Sequence, residues 1–179
     1  MGNVILKHVN VIPAVSHKLH RTPEQFTEFY KKYVDDMMIG CLSAKEFWHS
    51  YSIYFGQHIT EDYLETCFDP VEDREMVQLL ENLRAEGNRV VCGTNTYESH
   101  YSKMQSCGIL NHFDRIYASH LMRIAKPDKK FYQHIIDTEG FSPDEVFFTD
   151  DLQENIDSAH QLGIHAVRFL GFVSLIESL

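Results

Sequence analysis

Apolar and polar positions follow two different rhythms along the chain. From Thr22 to Leu83 the spacing is helical: Phe26, Phe29, Tyr30, Tyr33, Val34 and Met37 recur every three or four residues, as do Phe47, Trp48, Tyr51 and Tyr54. Helix starts are marked as well. Thr22 and Gln25 have the spacing of a capping box, with Pro23 at the first helical position, and Ser43 with Glu46 repeats the box. Further starts fall at Thr60 and at Asp69-Pro70, the last running through Met76, Leu79, Leu80 and Leu83 to a stop near Gly87. The pattern predicts a compact block of about four helices.

From Arg89 onward the rhythm changes. Short apolar runs, "RVVCGT", "DRIYAS", "EVFFTD" and "IHAVRFL", alternate with helical stretches that stop at Gly108, Gly140 and Gly163. Such alternation predicts a parallel sheet with right-handed crossovers. The run "NVILKHVNVI" near the start reads as the first strand of that sheet, which makes the helical block an insertion after it. The expected fold is α/β, a Rossmann-like parallel sheet core from residues 1–15 and 87–179 with a helical-bundle cap from 16–86.

Composition excludes several functions. A chain of 179 residues, 44% hydrophobic, can bury one full core. Its net charge of -10 comes from 26 acids against 16 bases with no Lys/Arg run, so nucleic acid is not an expected partner. The patch "VNVIPAV" is too short to span a membrane and lacks a cleavage pattern, and Leu6 stands where a myristoylation signal needs Ser or Thr. Cys41, Cys67, Cys92 and Cys107 are widely spaced with no CxxC, which argues against a zinc site or disulfide framework and suits a reducing compartment. A cytoplasmic protein without a membrane partner is expected, its oligomeric state open.

In open parallel sheets the ligand crevice lies beyond the C-terminal strand ends, so polar residues there carry the chemistry. Asp150 and Asp151 close "EVFFTD" and begin the next connection. One reading has Asp150 satisfying loop amides and Asp151 capping the next helix. The other is a hard-cation site with oxygen ligands for Mg2+, and Asn155, one turn later, orienting Asp151. Thr94 and Asn95, in "VVCGTNTYES", read either as a helix N-cap or as a phosphate receptor at a helix N-terminus. Lys126 precedes Pro127, which reads as the opening of the helix "PDKKFYQHIIDTEG". A cation at that end of a helix calls for a nearby anion, the Asp pair or a bound phosphate. His17 and His20 have i, i+3 spacing but fall in the hinge to the helical block. The aromatic residues of that block read as helix packing before substrate pocket.

The ordered set "TNT", "KPDKKFYQHII" and "FFTDDLQENIDSAHQLGI" resembles the haloacid dehalogenase superfamily of hydrolases, in particular its small phosphatase-like branch with a helical cap after strand 1. The resemblance implies that Thr94 donates to a phosphoryl oxygen, that Lys126 neutralises phosphate and nucleophile, and that Asp151 and Asp150 hold Mg2+. It also implies a strand 1 Asp that attacks phosphorus, often with a second Asp two residues later as acid and base. Here the chain departs from the family pattern. His8 falls at the nucleophile position and Asn10 at the acid/base position, and residues 1 to 23 contain no Asp or Glu.

Two carboxylates against Lys126 leave one negative charge, which a protonated His8 would cancel. His8 is thus expected either to pair with Asp150 or Asp151, to join them as a nitrogen ligand favouring Zn2+, Mn2+ or Ni2+, or to be inert. The functional expectation is a phosphatase-type hydrolase acting on a small phosphorylated molecule with weak or no turnover and weak Mg2+ affinity. The alternatives are a silent relative binding a phosphorylated ligand or protein partner, and a degraded copy without ligand.

Overall fold

The structure is a computed structural model that describes all 179 residues. In chain order the elements are β1 (Leu6–Lys7), α1 (Ile12–Lys18), α2 (Pro23–Tyr30), α3 (Val34–Met38), α4 (Ala44–Phe55), α5 (Tyr63–Thr66), β2 (Val71–Glu72), α6 (Arg74–Ala85), β3 (Val91–Thr94) and α7 (Glu98–Ser106). They continue with β4 (Arg115–Ala118), α8 (Ser119–Met122), α9 (Lys129–Glu139), β5 (Phe147–Asp150), α10 (Gln153–His160), β6 (His165–Arg168) and α11 (Phe172–Ile176).

Both expected capping boxes form. Thr22 Oγ1 accepts from the Gln25 amide while the Gln25 side chain accepts from Thr22 N, and Ser43 and Glu46 do the same at α4. The two later starts are displaced. α5 is capped by Asp62 and α6 by Asp73, because each of these carboxylates reaches two amides of the following turn. The helical block packs through aromatic side chains: Phe26, Phe29, Phe47 and Tyr51 are fully buried, with ring centroids 5.3 to 6.4 Å apart in tilted and edge-on pairs. Such pairs add to the area they bury. No helix is long and apolar enough to cross a membrane.

The α/β half forms two parallel pairs, β3 with β4 and β5 with β6, in registers that set Thr94 beside Ala118 and Asp150 beside Arg168. No strand is hydrogen-bonded between the pairs. The expected first strand is the main correction. Of "NVILKHVNVI" only Leu6 and Lys7 are extended, and they pair antiparallel with Glu72 and Val71. Three causes are visible. Asn3 at φ 57° turns the chain so that the amides of Val4, Ile5 and Leu6 all donate to Met1 O. His8 at φ 59° ends the extended segment. Then Asn10 Oδ1 accepts from Ile12 N, and Pro13 fits the first turn of α1.

The apolar core divides accordingly. One cluster joins the helical block to β3, α7 and residues 4–11, including Val4, Leu6, Phe26, Phe47, Met76, Cys92 and Met104. A smaller one, Phe131, Tyr132, Ile136, Ile156, Ala159, Ile164 and Ala166, packs α9 and α10 on β6. The amide of Asp73 donates to Ile5 O at 2.7 Å, and Lys7 Nζ meets Asp73 Oδ2 at 2.6 Å, so the two chain crossings flanking the helical block are joined.

Candidate functional site

β3 and β5 run in the same direction as their partners, and both end at one edge of the molecule, where the sequence places Thr94 and Asp150. Lys126 reaches this edge from the segment between α8 and α9. Its ammonium donates to Asp150 Oδ2 at 2.6 Å and to Gly93 O at 2.9 Å, with both side chains about 95% buried. The other oxygen of Asp150 accepts from Leu152 N at 3.0 Å and from Asn155 Nδ2 at 2.8 Å. Burial works against ionising Asp150. The Lys126 charge, its hydrogen bond and those from Asn155 and Leu152 N outweigh that and hold the carboxyl below its usual range.

Asn95 fixes the Lys126 backbone on both sides: its Nδ2 donates to Lys126 O at 2.8 Å, and Lys126 N donates to its Oδ1 at 2.9 Å. Thr96 is held from β4, with Ser119 Oγ accepting from Thr96 N at 2.9 Å and donating to Thr96 O at 3.0 Å. Thr94 is 4% exposed, and its hydroxyl has a single contact within the protein, to Asn95 O at 3.5 Å, the outer limit of a hydrogen bond. That donor is effectively free. Lys126 uses two of its three N–H groups. A free hydroxyl and a spare ammonium proton at one rigid edge form a receptor for an anionic oxygen.

Several expectations change in detail. Thr94 and Asn95 precede the α7 N-cap, which is Tyr97, so neither caps that helix. Pro127 does not open α9, whose N-cap is Asp128, so the anion that holds Lys126 is Asp150 and not a helix-end requirement. Asp151 does not cap α10, whose N-cap is Leu152, and Asn155 bonds to Asp150 in place of Asp151.

The structure brings together Thr94, Asn95, Lys126, Asp150, Asp151 and Asn155, and it leaves His8 and Asn10 outside. His8 is exposed, makes no hydrogen bond or ion pair, and so does not pair with either acid. Asn10 is exposed and spent on Ile12 N. Residues 1–3 stand at the acids instead. Asn3 Nδ2 donates to Asp151 Oδ2 at 2.8 Å, and burial and the Lys126 charge lower the pKa of the Met1 amino group against the pull of Cys92, Asp150 and Asp151. Asn3 lacked any sequence signal, since its role depends on the turn at Met1. Ser119 had one, because it directly follows "RIYA" at the same sheet edge.

These residues offer a divalent cation few ligands of their own. Nowhere do three His, Cys, Asp or Glu side chains converge. Both oxygens of Asp150 are committed, which leaves Asp151, bonded to Asn3, as the one carboxylate to offer. Mg2+ keeps several waters and is commonly held by one or two carboxylates with a substrate phosphate, so Asp151 alone gives it a minimal anchor.

Comparison with known proteins agrees with the fold. A family model described as haloacid dehalogenase-like hydrolase matches residues 9–169. A sesquiterpene phosphatase, astK, of Aspergillus oryzae is 31% identical over 112 residues, which is 61% of this chain and 56% of that protein. The GMP/IMP nucleotidase YrfG of Escherichia coli is 25% identical over 91 residues, 50% of this chain and 41% of that protein. The chain thus spans about half the length of these two relatives. Among solved structures, the HAD family enzyme bt-2542 of Bacteroides thetaiotaomicron superposes with a TM-score of 0.82 at 20% identity, covering 98% of this chain and 95% of that one. Its magnesium complex superposes at 0.79 with 21% identity, covering 97% and 92%. A family match over residues 9–169 means that the chain belongs to the haloacid dehalogenase-like hydrolases.

Proposed function

We propose that this hydrolase-family chain has a phosphatase-type scaffold: it binds the phosphate of a small phosphorylated molecule through Thr94 and Lys126, with Asn95 holding Lys126 in place, and turns it over weakly. The observation that carries the reading is the buried Lys126 ammonium, fixed by Gly93 O and Asp150, with its third proton and the Thr94 hydroxyl left to receive an anion. Two relatives whose names specify phosphate-ester substrates support it. Asn95 acts on the backbone of Lys126 and keeps the ammonium in place.

Weak turnover follows from the carboxylates. A phosphatase of this kind needs a nucleophile beside the phosphate. Asp150 is neutralised by Lys126 and fully hydrogen-bonded, and Asp151 is bonded to Asn3. His8 is exposed and bonded to neither. Mg2+, present in a complex of the bt-2542 relative, would have Asp151 as its ligand from this chain and would supply charge neutralisation.

Inorganic phosphate binding measured by calorimetry tests the reading. Thr94→Val should weaken binding about tenfold, because a hydrogen bond to a charged group is lost. Equal affinity in Thr94→Val, or no binding by the natural chain, would overturn it.

A further inference from the structure

A second polar chain, separate from the anion site, starts one residue beyond Thr96. Tyr97 is 2% exposed, and its ring enters the aromatic packing of the helical block, 6.4 Å from that of Tyr30 on α2. Tyr30 Oη donates to Tyr97 Oη at 3.2 Å, and Tyr97 Oη meets His100 Nε2 at 2.8 Å. The His100 ring in turn stacks on Phe68, which follows α5, at 3.9 Å and 10°. Burial lowers the pKa of His100 to about 3, so its imidazole is neutral and Nε2 is free to accept from Tyr97. Burial likewise raises Tyr30 to about 12, so its hydroxyl keeps its proton. The three groups form one directed series of donors from the helical block to α7.

The loop before Tyr97 is held on its other sides by Asn95 to the Lys126 backbone and by Thr96 to Ser119. Tyr97 supplies the third attachment, and the helical block is what it attaches to. Closing a loop on three sides with buried polar bonds makes its geometry depend on each of them.

We propose that Tyr97 is a positioning residue whose hydroxyl latches the helical block to the Thr94–Thr96 loop, so that the loop and α2 open as one cooperative unit. The latch itself stands on the geometry. Its consequence for ligand affinity rests on the phosphate reading above.

The test is backbone hydrogen exchange on the intact chain, compared between the natural protein, Tyr30→Phe, Tyr97→Phe and the double variant, with inorganic phosphate affinity measured on each. Tyr30→Phe keeps the ring packing and the Tyr97–His100 bond. It should speed exchange about fivefold, the worth of one hydrogen bond, both at the last turn of α2 and in residues 95–99. Once Tyr97→Phe is present, adding Tyr30→Phe should cost nothing further and should recover part of the loss, since the Tyr30 hydroxyl has no partner left. Faster exchange confined to α2, or additive effects of the two substitutions, would overturn the latch. Phosphate affinity should fall with loop opening in each single variant. A natural chain that binds no phosphate but shows the coupled exchange would refute the phosphate reading and leave the latch standing. Phosphate binding with uncoupled exchange would do the reverse.

Discussion

Removing the Lys126 ammonium is the sharpest perturbation of the site. Lys126→Met conserves length and apolar stem while deleting the charge that lies 2.6 Å from Asp150 Oδ2, with 4% and 5% of the two side chains exposed. At that separation the attraction is about 6 kcal/mol at an effective dielectric of 20. Part of it only offsets the cost of burying both charges, and breaking such a pair from one side typically costs about 3–5 kcal/mol. The loss is concentrated on Asp150, since Leu152 N and Asn155 still serve its other oxygen, and on Gly93 O, which loses its donor. Urea denaturation should therefore show a midpoint shift at unchanged slope worth about 3–5 kcal/mol. For a chain of this size that is roughly 6–20 °C in Tm. Adding Asp150→Asn, which removes the stranded charge and keeps an acceptor for Leu152 N and Asn155, should recover part of the loss. A cost below about 1 kcal/mol for Lys126→Met, or a further loss in the double variant, would refute the account of a buried and mutually dependent pair.

Three further outcomes follow from particular residues. Gly40 has φ 66°, and a Cβ there would clash with the backbone oxygen of His120, so Gly40→Ala should cost at least about 2 kcal/mol in urea denaturation. Arg123 is exposed at φ 58°, where glycine is unstrained, and Arg123→Gly should raise stability by about 1 kcal/mol in the same assay. His100 is held neutral, near pKa 3, while its unfolded form titrates near 6.5. The unfolded chain therefore binds the extra proton first, and stability should fall as pH drops from 6.5 towards 3. The slope from this group approaches about 1.4 kcal/mol per pH unit, and it should be absent in His100→Gln in a pH series of denaturation midpoints.

Local signals in the sequence carried the capping boxes at Thr22 and Ser43, the strand runs ending at Thr94 and Asp150, and the ordered residues Thr94, Lys126 and Asp150 that meet at one sheet edge. Each depends on spacing within a few residues or on the rule that parallel strands end together. "NVILKHVNVI" was not legible, because a short apolar run does not distinguish a strand from a turn leading into a helix. The positive φ at Asn3 and His8 decided that segment; both residue types are enriched there, yet only a small share of Asn and His adopt it, so their presence does not announce a turn. His8 consequently inherited a site position that the fold gives to residues 1–3. The Lys126–Gly93 bond, the Asn3–Asp151 bond and the Tyr30–Tyr97–His100 series join residues 33, 148 and 67 positions apart in their longest links, and such contacts have no local signature.

The most direct test of the central claim is Mg2+-dependent hydrolysis of an aryl phosphate by the natural chain, measured beside Asp151→Asn. Turnover close to background is expected in both, with phosphate binding retained. Robust turnover in the natural chain that disappears in Asp151→Asn would contradict it, because Asp151 would then be serving chemistry that its bond to Asn3 and the absence of a free nucleophile beside Lys126 do not allow.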